Sequence, residues 1–144
     1  MNYEETDLSA MAHPPSMMVM ESRRDYDGIL SSLTGRRVLI WTCNTCARLC
    51  GVGGTERAME LADRLRSDGV DITGVVSVSA SCIANKVVGR IPDDGHDTIL
   101  CLSCSISSHI LGTHTDADIV EPLCTLGPGY MSSEGVPMVT AQMK

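Results

Sequence analysis

The stretch that decides the fold is residues 36–78, RRVLIWTCNTCARLCGVGGTERAMELADRLRSDGVDITGVVSV. Residues 36–42 carry a continuous apolar run between a glycine and a cysteine-rich loop, which predicts a buried strand. Residues 55–67 place apolar side chains at helical spacing and stop at Gly69, which predicts an amphipathic helix. Residues 70–78 are rich in β-branched side chains and predict a second strand. Strand, loop, helix and strand make one right-handed βαβ unit.

Weaker patterns on both sides of this unit predict further helices and strands. These are a helix over residues 23–33 capped by Ser22, a strand at residues 98–102, a helix from Ser103 or Ser105 to about Leu111, and a short strand at residues 118–120. The chain is therefore expected to form an α/β fold, with a small open, mostly parallel sheet of about four strands and flanking helices. Such sheets place their functional sites at the carboxyl ends of the strands.

The composition changes at both ends of the chain. Residues 22–125 are assigned to a single α/β domain. Residues 1–21 hold Pro14, Pro15 and a cluster of methionines with no clear period, which predicts a flexible Met-rich arm. Residues 126–144 are rich in glycine, proline and serine, and they are expected to form an irregular C-terminal tail.

Length and charge narrow the classes of function. The chain has 144 residues, 18 acidic and 11 basic, and a net charge of −7. This balance opposes nucleic-acid binding, which needs a basic stripe. No apolar run approaches the ~20 residues that span a membrane, and Glu4, Glu5 and Asp7 stand where a signal peptide needs basic residues. Seven cysteines, an odd number, in a chain with no export signal predict a cytoplasmic, reducing location.

The cysteines lie at the ends of the predicted strands. They are Cys43, Cys46 and Cys50 after the first strand, Cys82 after the second, and Cys101 and Cys104 at the third. Since the carboxyl ends of parallel strands meet at one edge of a sheet, these thiols are expected to converge there. Cys124, in the tail, is expected to be an ordinary small core residue.

Convergent thiols favour a metal site, because zinc and iron–sulfur clusters are both soft sulfur sites. C-x2-C-x3-C with one remote cysteine best fits a [4Fe–4S] cluster. The two C-x2-C pairs could instead form a four-cysteine zinc or single-iron site, but this leaves Cys50 and Cys82 without a role. A redox dithiol of Cys43 and Cys46 is a third interpretation.

A glycine-rich turn follows the triplet and opens the next helix through Gly51, Gly53, Gly54 and Thr55. Its backbone N–H groups and the positive helix end favour an anion. That anion could be the cluster itself or the phosphate of a nucleotide or flavin. GVGGT matches neither the dinucleotide-binding nor the P-loop pattern. The plain alternative is a turn whose glycines supply positive φ angles.

Beyond these residue-level patterns, a longer motif indicates a family. The segment WTCNTCARLCGVGGTERAMELADRLRSDG, followed by SASCIAN, resembles the C-terminal cysteine-rich domain of methylenetetrahydrofolate reductases and the MetV-type small subunit of the acetogen enzyme. The resemblance covers about residues 36–105. It implies a cysteine-rich protein with an iron–sulfur cluster or zinc, beside a flavin-containing reductase subunit. The matching positions are Cys43, Cys46, Cys50 and Cys82.

The chain departs from that family in its later part. It is shorter, and it lacks the family's second cysteine-rich segment, so Cys101 and Cys104 are substitute sources of a ligand. The fourth ligand is open between these two residues and Cys82. The expected function is an iron–sulfur electron-transfer subunit of a one-carbon redox complex, itself non-catalytic and part of a hetero-oligomer. The alternative is a zinc-stabilised docking subunit.

Overall fold

The computed structural model describes residues 17–81 and 83–141, which form two sheets. The elements in chain order are β1 (Met17–Ser22), α1 (Tyr26–Leu33), β2 (Arg37–Cys43), α2 (Cys46–Leu49), α3 (Thr55–Ser67), β3 (Asp71–Val78), α4 (Ala84–Val87), β4 (Thr98–Leu102), α5 (Ser105–Thr113), β5 (Asp118–Val120), β6 (Leu123–Met131) and β7 (Pro137–Val139). The larger sheet has the strand order β3-β2-β4-β5, and the smaller one has the order β1-β6-β7.

The larger sheet is parallel throughout, which confirms the expected small α/β fold with about four strands. β2 lies at its centre and pairs with β3 on one side and with β4 on the other. The chain therefore leaves β2 in one direction to form β3 and later crosses to the other side to form β4. The crevice outside the carboxyl ends of β2 and β4 is the topological switch point, where open α/β sheets bind their ligands.

Both faces of this sheet are buried, as the continuous apolar run of β2 predicts. Alternate residues of β2 and β4 point to opposite faces. One face packs with α1 and α3 through Val38, Ile40, Leu100 and Leu102. The opposite face packs with α4 and α5 through Leu39, Trp41, Ile99 and Cys101. The sheet therefore separates two cores, and a cysteine of β4 contributes to the second.

The longer helix between β2 and β3, α3, has the bounds that the sequence predicts. Ala58, Ala62 and Leu65 of α3 are fully buried against the sheet, while its charged side chains face solvent. The chain turns out of the helix at Gly69, whose φ of +91° suits glycine. In the described ranges, no helix is long and apolar enough to cross a membrane.

The first helix begins later than the sequence analysis expects. α1 starts at Tyr26, and its cap is Asp25, whose carboxylate accepts the N–H of Gly28 at 2.9 Å. Ser22 is not the cap, because it is the last residue of β1 and pairs with Leu123. Strand pairing therefore holds this residue in an extended conformation and delays the helix by one turn.

The smaller sheet replaces two regions that were expected to lack regular structure. Residues 17–21, assigned to the arm, pair antiparallel with β6 together with Ser22, and β6 and β7 occupy much of the expected tail. Among the glycines that suggested a tail, Gly129 has a packing role here. A Cβ on Gly129 would lie 2.0 Å from the carbonyl oxygen of Met138 and 2.6 Å from Val19, so only glycine lets the three strands approach. Residues 1–16 and 142–144 lie outside the described part of the chain.

Candidate thiol site

Four cysteines lie around the switch point of the larger sheet. Cys43 ends β2, Cys46 begins α2 and Cys50 follows α2. Cys104 follows β4 and occupies the N-cap position of α5. Cys43 and Cys104 belong to the core beneath α1 and α3, and Cys46 and Cys50 are partly buried against that same core. These four thiols thus belong to or border one core at the carboxyl ends of β2 and β4, and we call them the thiol site.

The thiol site is covered by a residue of the smaller sheet. The backbone N–H of Met18 donates to Cys46 Sγ at 3.2 Å. Cys50 Sγ in turn donates to the Met18 carbonyl oxygen at 3.7 Å. One residue of β1 therefore contacts two thiols of the loop. The sequence analysis missed Met18 because backbone contacts leave no side-chain signature and the surrounding segment has no clear period.

Cys43 is held in surroundings that favour its thiolate. Burial of the side chain raises its pKa, but hydrogen bonds from the backbone and side chains of Ser81 and Thr45 outweigh this effect, so the pKa of Cys43 lies below its usual value. Ser81 is fully buried and its hydroxyl lies 2.5 Å from that of Ser107. The thiolate is the form that binds metals and attacks electrophiles. Of Cys43, Cys50 and Cys101, only Cys43 has a lowered pKa, so it is the best prepared of these three for ligand chemistry.

Cys50 has the opposite tendency. Burial raises its pKa, and a hydrogen bond from the backbone of Met20 offsets only part of this effect. When no metal is bound, Cys50 therefore keeps its proton. This agrees with the hydrogen bond that its thiol donates to the Met18 carbonyl oxygen. A bound metal would displace that proton, because metals bind the thiolate form.

Cys101 packs in a different core from the four thiols of the site, although Cys104 is near enough for its charge to raise the pKa of Cys101. It belongs to the core on the opposite face of the sheet and is fully buried. Its sulfur lies 2.8 Å from the hydroxyl of Ser103 and 3.2 Å from that of Ser108. Burial raises the pKa of Cys101 to about 11, although these two hydroxyls lower it. Cys101 thus has the properties of a neutral core thiol.

The remaining two cysteines are placed differently. Cys82, one of the expected ligands, lies outside the described residues. Cys124 lies in β6, where its register partner is the exposed Glu21, whereas the next residue, Thr125, pairs with the buried Met20. Since paired residues share a face of a sheet, Cys124 lies on the face away from the core that holds the thiol site.

The glycine-rich turn is held mainly by contacts within the protein. The N–H of Gly54 donates to Thr42 Oγ1 at 2.7 Å, and the N–H of Thr55 donates to Asn44 Oδ1 at 2.8 Å. Gly51 and Gly54 have φ angles of +74° and +96°. Two N–H groups expected to bind an anion are therefore already used, and the required backbone angles account for these two glycines.

Gly53 serves a close approach rather than a backbone angle. A Cβ at this position would lie 2.7 Å from Cβ of Ala47 and 2.9 Å from the carbonyl oxygen of Leu102. The loop can therefore reach the end of β4 only with glycine here. This contact places the cysteine loop beside Cys104, two residues beyond Leu102.

The donors of the thiol site suit a soft metal in chemical kind, since they are four cysteine sulfurs. Within the described ranges, however, no three His, Cys, Asp or Glu side chains already form a metal-binding group. No disulfide joins any of the six described cysteines, so their sulfurs are not consumed by cross-links. Cysteine has a single side-chain torsion, and a change of rotamer redirects its sulfur without moving the backbone. The four thiols thus suit a thiolate-bound metal by chemical type, whereas in the described ranges their side chains are not arranged as a metal-binding group.

Comparison with known proteins adds no assignment. No family model matches this chain, and neither a curated protein nor a solved structure does. The resemblance in residues 36–105 therefore rests on its quoted motif. The function has to be inferred from the thiol site and its surroundings.

Proposed function

We propose that this chain is an iron–sulfur subunit that carries electrons within a larger redox complex. One [4Fe–4S] cluster would be held by Cys43, Cys46, Cys50 and one further cysteine. The observation that carries the proposal is that three loop thiols and Cys104 belong to or border one core at the switch point of the sheet. The stabilised thiolate of Cys43 supports it, because cluster ligands are deprotonated.

For the fourth ligand we favour Cys104 over Cys101. Cys104 belongs to the same core as Cys43, whereas Cys101 lies behind the sheet among serine hydroxyls and is protonated at neutral pH. Using Cys101 would require a buried thiol to lose both its proton and its hydrogen bonds. Cys82 remains the other candidate, because the family motif includes it.

An electron-transfer role requires a short path from the site to a partner protein. Cys46 and Cys50 are only partly buried, and the neighbouring Leu49 is half exposed. A cluster supplies one-electron chemistry when it is bound. The protein's part is to hold it near the surface and to hydrogen-bond its ligands, as the Met18 N–H does for Cys46.

The family resemblance adds the identity of the partner to this proposal. It points to a flavin-containing reductase subunit of one-carbon metabolism, in a hetero-oligomer. The loop edge, with Leu49 beside the thiol site, is the surface that we expect the partner to cover. The identity of the partner depends on the family motif. The proposed metal chemistry of the thiols does not depend on that motif.

One observation favours the alternative of a structural zinc ion. The thiols of Cys46 and Cys50 contact Met18, so a metal at this site would fasten the smaller sheet to the cysteine loop. Zinc bound by four cysteines contributes to folding and has no redox chemistry. The protein would then be a zinc-stabilised docking subunit that transfers nothing.

Metal analysis and electron paramagnetic resonance of the full chain, purified without oxygen and reduced with dithionite, distinguish the two. We expect about four irons per chain and a reduced-cluster signal. About one zinc and no signal would establish the alternative. Cys46→Ser should lose most of the metal, and Cys124→Ser, on the other face of the smaller sheet, should keep it. Equal metal content in the two variants would refute the thiol site.

A further inference from the structure

A cleft that the proposed function does not use opens between α1 and α3. Its volume is about 630 Å³, within the range of clefts that hold small organic molecules. The floor is apolar and partly formed by core residues: Ile29, Val52, Leu61, Leu102 and Leu123. Molecules with an apolar body would cover this floor and remove it from water.

The rim of the cleft is rich in arginine. Arg23, Arg24, Arg57 and Arg64 line it, and all four are exposed. Elsewhere the arginines at positions 36, 37 and 66 pair with aspartates. The three arginines at 23, 24 and 57 form no ion pair with any acidic residue of the described chain. Their guanidinium groups are therefore available to an external anion.

The fourth arginine is oriented by an aromatic ring. The guanidinium carbon of Arg64 lies 3.6 Å from the centre of the Tyr26 ring. The Tyr26 hydroxyl donates to Asp68, which fixes the ring at the mouth of the cleft. A cation–π contact of this kind holds the guanidinium in place without neutralising it. The wall of the cleft therefore keeps a preoriented positive charge.

The local charge is opposite to that of the whole chain. Against four arginines, the lining holds two carboxylates, Asp25 and Glu60, and Asp25 is engaged as the cap of α1. The chain as a whole has a net charge of −7. The unpaired arginines therefore create a locally positive potential on an otherwise acidic protein, and this potential attracts an anion to the cleft.

We propose that this cleft binds an organic anion. Arg23, Arg24 and Arg57 would hold a phosphate or carboxylate group, because guanidinium groups bind both through paired N–H donors. The apolar or aromatic body of the ligand would lie on the floor. A small molecule fits better than an acidic protein surface, because the floor is concave and reaches core residues such as Leu102.

The cleft lies next to the loop that carries the thiol site. Val52 belongs to the cysteine loop, and Leu102 ends β4 two residues before Cys104. A ligand on this floor would therefore lie beside the loop that carries the triplet. The inference does not require a metal, so it stands or falls independently of the proposed function.

The test is to titrate small-molecule probes into the full chain at low ionic strength. Binding is measured by calorimetry and by changes in the amide NMR spectrum. The probes are naphthyl phosphate, naphthoate and neutral naphthol, which share a ring and differ in charge, together with inorganic phosphate. We expect saturable binding of at least one naphthyl anion, with shifts at the Val52 and Leu123 amides. Whichever naphthyl anion binds more tightly identifies the anionic group of the natural ligand as a phosphate or a carboxylate. Naphthol and inorganic phosphate should each bind more weakly.

Variants assign the binding to the rim. Arg24→Gln combined with Arg57→Gln should weaken the anion by about tenfold or more, since each charged hydrogen bond contributes strongly. Arg90→Gln, an exposed arginine outside the cleft, is the matched control and should bind as the unaltered chain does. Saturation by neither anion, equal binding of naphthol, or equal loss in the Arg90 control would each overturn the inference. Thermal melting of every variant identifies any that fails to fold.

Discussion

The substitution Thr42→Val tests how the cysteine loop is attached to the sheet. Thr42 is fully buried at the end of β2. Its hydroxyl accepts the N–H of Gly54 at 2.7 Å and donates to the carbonyl oxygen of Leu102 at 3.2 Å. Valine has nearly the same shape and lacks the hydroxyl. The change therefore removes both hydrogen bonds and leaves the packing almost unaltered.

The expected cost follows from these two bonds. Gly54 is buried, so its N–H cannot turn to water, and an unsatisfied buried donor costs about 1–3 kcal/mol. Loss of the longer bond to Leu102 adds about 0.5–1.5 kcal/mol. Thr42→Val should thus lower the free energy of unfolding by about 2–4 kcal/mol, a large share of the ~5–15 kcal/mol of a typical domain. Thr42→Ser keeps the hydroxyl and should cost only about 1 kcal/mol, for one buried methyl group.

Urea unfolding measures the difference, with the fluorescence of Trp41 as the signal. Trp41 is the single tryptophan of the chain and is fully buried in the opposite core, so it reports unfolding of the whole sheet. If the valine variant is as stable as the unaltered protein, the Gly54 N–H has another acceptor and the loop is not held as described. If the serine variant loses as much stability as the valine variant, the hydroxyl contributes no more than the methyl group, and the two hydrogen bonds do not hold the loop to the extent worked out above.

Two further predictions concern the packing of the loop and the protonation of the buried thiol. Gly53→Ala should destabilise the protein by about 1–3 kcal/mol, because the new Cβ would lie 2.7 Å from Ala47. Gly112→Ala, in an open part of α5, is the control and should stabilise the protein by about 0.5–1 kcal/mol. Equal urea midpoints for the two variants would contradict this prediction. The pKa of Cys101 is raised in the folded state to about 11 from 9.0, so the unfolded chain loses its proton first and stability falls as pH rises through that interval. This loss should amount to about 2–3 kcal/mol by pH 11 and be absent from Cys101→Ala; parallel stability curves for the two proteins would show that the thiol is not buried as described.

The βαβ unit is the part of the fold most open to sequence analysis. Its strands and helix are each encoded within a few consecutive residues, as a buried apolar run or as a helical period. The bounds of α3 therefore agree with the prediction. The start of α1 does not, because a non-local pairing, that of Ser22 with Leu123, competes with the local capping pattern.

The smaller sheet could not be predicted in the same way. Its strands β1 and β6 come from opposite ends of the chain, and their pairing leaves no local period. The glycines and the proline of β6 normally indicate irregular structure. Gly129 is tolerated there because three strands approach at that point, and only the assembled sheet reveals this contact.

The sequence alone determined that this is an α/β protein with cysteines at the ends of its strands, because hydrophobic periodicity and residue spacing are local properties. Only the tertiary structure decided which cysteines share a side. Cys101 lies within β4 and faces one core, whereas Cys104 lies past the end of the strand and joins the other. The cover of Met18 over the loop and the arginine-lined cleft were likewise decided by packing, since both bring together residues that are distant along the chain.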